Sequence, residues 1–169
     1  LRAEHSRAAR RRGGKAAKRG LSDEQVPILV LRDRSGQTAD FVLQRGDAAH
    51  IAPALTQTLD DDAVLCTDAS AALAAATRAC HLEHHWLNTA HREHRRGAWH
   101  IQNVNAYHRR WKTWMARFHG VATSYLENYL GWFRALDRNV NAALQPPHCS
   151  RWRSGYDAIH SQREQRLIF

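Results

Sequence analysis

Apolar positions along this chain follow two periods, one of two residues and one of about three and a half, and each predicts its own kind of element. Val26 to Leu31 (VPILVL) is a short β-favouring run whose proline suits its first positions. Arg34, Ser35 and Gly36 then turn the chain into Thr38 to Gln44, which predicts a hairpin. His50 to Leu59 predicts a helix that ends at the acidic run Asp60, Asp61, Asp62. Ala63 to Thr67 (AVLCT) predicts a strand with Asp68 at its C-terminal end, followed directly by an Ala-rich helix over Ala71 to Ala79. A brief extended stretch, His84 to Leu87, leads into a loop rich in His and Arg.

The next helix begins near Asn103. Val104, Tyr107, Trp111, Trp114, Met115 and Phe118 gather within about a third of its circumference, with Asn105, Arg109 and Lys112 on the far side. Tyr125 to Leu136 predicts a further helix with Leu126, Tyr129, Leu130 and Phe133 turned inward. Past Pro146 and Pro147 the tail is polar and weakly patterned, and no repeats occur. Strand, strand, helix, strand, helix, strand, helix is the order of an α/β fold, a mixed sheet flanked by helices. Trp111, Trp114, Trp132 and Phe133 could stack on bases, but their helical spacing fits core packing better.

With 169 residues and 43% hydrophobic content, the chain suits one domain with a substantial core. No run approaches the roughly 18 apolar residues of a membrane span, and no secretory leader pattern marks the start, so a cytoplasmic location is the default expectation. Cys66, Cys80 and Cys149 are odd in number and scattered, unlike a disulfide scaffold. Cys80 with His81, His84 and His85 lacks the second cysteine pair of a zinc pattern, and these side chains are expected to serve the fold.

Charge alters the picture. The first twenty residues hold six Arg and two Lys against Glu4, a net +7 of the formal +9, and are expected to form a mobile basic arm. Residues 21 to 91 carry four basic and ten acidic residues, and from Arg92 to Arg117 seven Lys or Arg face Glu93 alone. A basic, acidic, basic order would hold a phosphate backbone on either side of an acidic centre able to take divalent metal.

Asp68 is the carboxylate best placed for such a centre, because ligands collect at the C-terminal ends of strands in sheets of this kind. Either it caps the following helix, or it binds Mg²⁺ or Mn²⁺, which prefer oxygen donors and bridge carboxylate to phosphate. Asn105, 37 positions on, would join it if the intervening strand and helix fold back. Phosphodiester chemistry by two metals needs more donors than one carboxylate and one amide. Asp33 is the internal candidate for a further ligand, though its place before Arg34, Ser35 and Gly36 fits a turn Asp better. His100 and His108 lie near enough in sequence to orient groups, or simply to pack.

The stretches RRGGKAAKRGLSDEQVPILVLRDRSG, AVLCTDAS and HIQNVNAYHRRWKTWMARFHGVATSYLENYLGWF resemble bacterial insertion-sequence transposases of the ribonuclease-H-like class, from about residue 10 to residue 135. The last stretch is the most specific. The resemblance implies a ribonuclease-H-like core over residues 21–140, preceded by the basic arm 1–20 and followed by a polar tail 141–169. In that family one catalytic Asp lies on the first strand, a second ends the fourth, and the third ligand, Asn in some members, sits on a later helix with a trailing Lys.

Asp68 then matches the second Asp, Asn105 the third ligand and Lys112 the trailing Lys. Arg109, Arg110 and Arg117 are implied to hold DNA phosphates. The family's first Asp precedes the Arg-Gly-Lys loop inside which this sequence opens, so the first, central strand and its ligand are expected to be missing, leaving a sheet edge exposed. The implied activity is DNA strand cleavage and strand transfer with Mg²⁺ or Mn²⁺, on double-stranded transposon ends and target DNA. The alternatives are a non-catalytic nucleic-acid-binding module and a regulatory remnant partnering full-length transposase or itself.

Overall fold

The computed structural model describes residues 25–93, 95–144 and 165–168. The basic arm 1–20, Cys149 and the proline pair at 146 and 147 lie outside the described residues. Seven strands and four helices run in the order β1 (Ile28–Asp33), β2 (Thr38–Val42), α1 (Ala48–Thr58), β3 (Val64–Asp68), α2 (Ala71–Ala79), β4 (Glu83–Leu87), β5 (Arg95–Arg96), β6 (Trp99–His100), α3 (Gln102–Ala116), α4 (Leu126–Leu144) and β7 (Gln165–Ile168).

Five strands form one mixed sheet in the order β2-β1-β7-β3-β4, and β5 with β6 makes a separate two-stranded hairpin. The β1–β2 hairpin is antiparallel and β3–β4 is parallel. Between them lies β7, antiparallel to β1 and parallel to β3. The polar tail thus supplies a central strand, and the edge expected from a missing first strand is paired between Leu31–Asp33 and Val64–Cys66. No hydrophobic alternation announces a four-residue strand whose partners are over a hundred positions away.

Alternation along the strands divides the core in two. Leu29, Leu31 and Leu65 face one side, where Ile51, Leu55, Leu73 and Ala76 of α1 and α2 cover them. Val30, Cys66 and Leu87 face the other, under Val104, Tyr107, Trp111 and Trp114 of α3 and Leu126, Leu130 and Phe133 of α4. The aromatic stripe of α3 packs as its spacing predicts, with Trp111 and Trp114 stacked at 5.6 Å and Phe133 edge-on to Trp111 at 5.4 Å. Trp132 departs from the core expectation: it is 54% exposed, resting edge-on against Trp114 at 5.0 Å.

α1 is capped by Asp47, whose carboxylate accepts from the His50 amide at 3.1 Å. No helix of the described residues is long and apolar enough to cross a membrane.

Candidate functional site

Asp68 is the last residue of β3, with Ser70 standing as the N-cap of α2. Its Oδ1 accepts from the Ser70 amide at 3.2 Å, a local turn bond that steadies the carboxylate ahead of the helix. The cap position thus falls to Ser70 rather than Asp68, and the turn bond engages one oxygen of a carboxylate that accepts at two. Asp68 pairs in register with Leu87, and Leu87 belongs to the core beneath α3. Facing strand partners point the same way, so Asp68 projects to the side of the sheet that α3 covers.

Asn105 lies in the first turn of α3, exposed, its backbone N–H donating to the Ile101 carbonyl at 3.1 Å. Arg109 and Lys112 are exposed too, while Val104, Tyr107 and Trp111 between them are buried. The helix thus packs by its aromatics and leaves an amide-and-cation side outward, as its pattern predicts. Lys112 stands beside His108, whose pKa is held down at about 4, first by burial and then by that positive charge. His108 accordingly stays neutral over the physiological range.

The three arginines of this region differ. Arg117 is exposed and lies over the Trp114 ring at 5.8 Å. Arg110 donates from Nε to Asp137 at 2.8 Å and from Nη2 at 2.6 Å, and Asp137 is also paired with buried Arg32 at 2.9 Å. Its charge is largely spent inside the protein, leaving Arg109 and Arg117 better placed to meet a phosphate.

Asp33 takes the turn role. Its Oδ1 accepts from the Ser35 hydroxyl and the Gln37 amide, each at 2.8 Å. It shares the parity of Leu29 and Leu31, so it points to the α1–α2 side, opposite Asp68. Register sets it level with Leu65, about 10 Å down the strands from Asp68. A carboxylate with its back to the site cannot complete it.

Asp40, which sequence reasoning passed over, does share the face and level of Asp68 but stands three strands away, about 14 Å. It accepts from the Tyr107 hydroxyl at 3.2 Å and is paired with Arg134. Burial pushes its carboxyl up, against the opposing pull of Arg134 and Tyr107. The acidic segment is therefore no single centre, since Asp33 serves a turn, Asp40 an ion pair and Asp47 a cap. The Asp60–Asp62 run is exposed before the opposite end of β3.

The Cys–His group is dispersed as expected of structural side chains. The Cys80 thiol lies 3.5 Å from the Thr56 hydroxyl, His84 Nε2 meets the Thr67 hydroxyl at 2.7 Å, and His85 stacks on Trp99 at 4.0 Å. No group of three or more His, Cys, Asp or Glu able to hold a metal ion occurs among the described residues.

No curated protein and no solved structure matches the chain. The ISXO2-like transposase domain matches residues 2–134, an interval that contains Asp68, Asn105, Lys112 and strands β1 to β6 and stops short of the central strand β7. The match spans most of the sequence, and the chain therefore belongs to the ISXO2-like transposase domain family.

Proposed function

We propose that this chain carries the catalytic core of a metal-dependent transposase with a ribonuclease-H-like sheet, acting on double-stranded DNA at transposon ends and target. The single observation that supports it best is that Asp68 ends β3 on the side of the sheet that α3 packs against, with Asn105 and Lys112 exposed on that same helix. In a ribonuclease-H-like fold the first strand would be central, and in this chain β7 holds the central place.

The donor chemistry fits a hard divalent cation. The Asp68 carboxylate and the neutral amide oxygen of Asn105 are oxygen ligands of the kind Mg²⁺ and Mn²⁺ accept. When bound, such ions activate a nucleophilic oxygen and shield the charge of the phosphate and the leaving oxygen. The amide ligand adds no negative charge, which leaves Lys112 unclaimed by it and able to meet a phosphate or the departing oxygen. Arg109 and Arg117, with Arg110 in support, would hold backbone phosphates without reading bases. Water would attack first to free a 3′ hydroxyl, which would then attack target DNA in line.

The test is cleavage of a duplex bearing the element's own end, with Mg²⁺ or Mn²⁺ present. Asp68→Ala and Asn105→Ala are expected to remove metal-dependent nicking while leaving the fold intact. Nicking that survives Asp68→Ala would overturn the assignment.

The second reading is a binding module or regulatory remnant that grips DNA without cutting it, partnering an intact transposase or another copy of itself. The turn role of Asp33 and the pairing of Asp40 favour it, because they leave Asp68 and Asn105 one carboxylate short of a two-ion site. DNA binding with a steep salt dependence and no nicking under any metal would select this reading.

A further inference from the structure

The β5–β6 hairpin stands outside the roles assigned above, and its mounting is unusually firm for two residues per strand. Arg96 donates two hydrogen bonds to Glu93, Nε to Oε1 at 2.8 Å and Nη2 to Oε2 at 2.9 Å, while its guanidinium lies 5.7 Å from the centre of the Trp86 ring. Trp99 stacks on His85 at 4.0 Å and 14°. Trp86 and His85 are successive residues of β4 and so point to opposite faces of the sheet. The hairpin therefore clasps the edge strand from both sides, with Arg96 spent on the clasp.

Two other cations at this place meet no carboxylate among the described residues. Arg34, from the β1–β2 turn, donates to the Ala98 carbonyl at 2.6 Å, and Arg95 donates to the Gly97 carbonyl at 2.9 Å. Both are exposed. They flank His100, whose Nδ1 is buried without a hydrogen-bond partner among the described residues. Burial first, and then the charges of Arg34 and Arg95, push the His100 pKa down. Arg34 and Arg96 also act on Cys66, whose thiol burial raises to about 11 against their pull. His85, on which Trp99 of the hairpin stacks, is in register with Cys66 and so lies about 8 Å from Asp68 along the sheet.

We propose that Arg34 and Arg95, carried on the clasped β5–β6 hairpin and the β1–β2 turn it meets, form a second contact for the DNA backbone, separate from the cationic side of α3. Backbone carbonyls orient each guanidinium and leave its charge uncompensated, the condition in which an arginine fork takes a phosphate. The inference rests on the DNA reading above, but it assigns part of the grip on the duplex to a different element.

The test is binding of a labelled blunt duplex of arbitrary sequence over a range of salt, with the full chain. Loss of two phosphate contacts makes the slope of log K against log salt shallower by about 1.8. Arg34→Gln with Arg95→Gln is expected to show that change at an unaltered melting temperature, and Arg34→Lys with Arg95→Lys to restore the slope. In the unmutated protein, bound duplex is expected to shield both arginines from phenylglyoxal, read by mass spectrometry. A wild-type slope in the glutamine variant, or equal modification with and without DNA, overturns the hairpin contact. If Arg109→Gln with Arg117→Gln still lowers the slope in that case, the DNA reading stands without it. Salt-independent binding by the unmutated protein ends both.

Discussion

At the scale of single residues, the described acids and bases are mostly committed to holding the protein together. Arg32 and Asp137 are each 6% exposed at the side chain and meet at 2.9 Å, with Arg110 on the same carboxylate and the Tyr107 ring 5.1 Å from the Arg32 guanidinium. Breaking a buried pair from one side leaves a charge without its counterion, at a cost of about 3–5 kcal/mol. Asp137→Ala is expected to lose stability on that scale in urea unfolding, and a loss below about 1 kcal/mol would show that the pair matters little.

His108 makes a prediction of the opposite sign to that of an ordinary surface histidine. Its folded pKa is about 4 against 6.5 for the free group, so the unfolded chain takes the proton first. The stability tied to the neutral ring is complete above about pH 6.5 and is lost as pH falls towards 4. His84 and His100 shift in the same direction, each through burial first. His108→Gln is expected to flatten the fall of stability between pH 6.5 and 4, measured as melting temperature against pH. A variant whose melting falls as steeply as the parent's would contradict the burial of that ring.

Among the elements, those defined by their own residues were legible and those defined by distant partners were not. α2 matches its predicted bounds because an alanine run states a helix locally. α3 was legible down to which residues face inward, since four aromatic and apolar positions recur at helical spacing. β1 and β4 begin one or two residues from where their apolar runs predict, the ordinary slack of strand ends. α4 reaches Leu144, eight residues beyond the apolar repeat that announced it. β7 and the β5–β6 hairpin escaped because strands of four and two residues carry no period, and only the sheet or the clasp around β4 gives them a place. The side chosen by Asp33 could not be read either, because β1 is buried on both faces and its apolar run does not alternate.

The central place of β7 has a measurable consequence. Without it, the facing edges of β1 and β3 present unpaired backbone groups inside the sheet, and neither the hairpin nor the parallel pair is large enough to stand alone. Truncation after Leu144 is expected to lower the unfolding midpoint sharply and to raise binding of a hydrophobic dye. Unfolding identical to that of the full chain would show that the sheet holds without its middle strand.

For the molecule as a whole, membership of the ISXO2-like transposase domain family supports a DNA-acting protein, built on a sheet with helices on both faces. Exposed cations lie along α3, at Arg109, Lys112 and Arg117, and at the hairpin and the β1–β2 turn, at Arg95 and Arg34. The central claim is that the carboxylate of Asp68 and the amide of Asn105 share one divalent cation. Mn²⁺ titrated into nitrogen-15-labelled protein tests it most directly, since the ion broadens only the resonances close to it. The account predicts that the backbone amides around Asp68 and the side-chain amide of Asn105 broaden together, and that Asp68→Asn abolishes both effects. Broadening at one of the two without the other would contradict it.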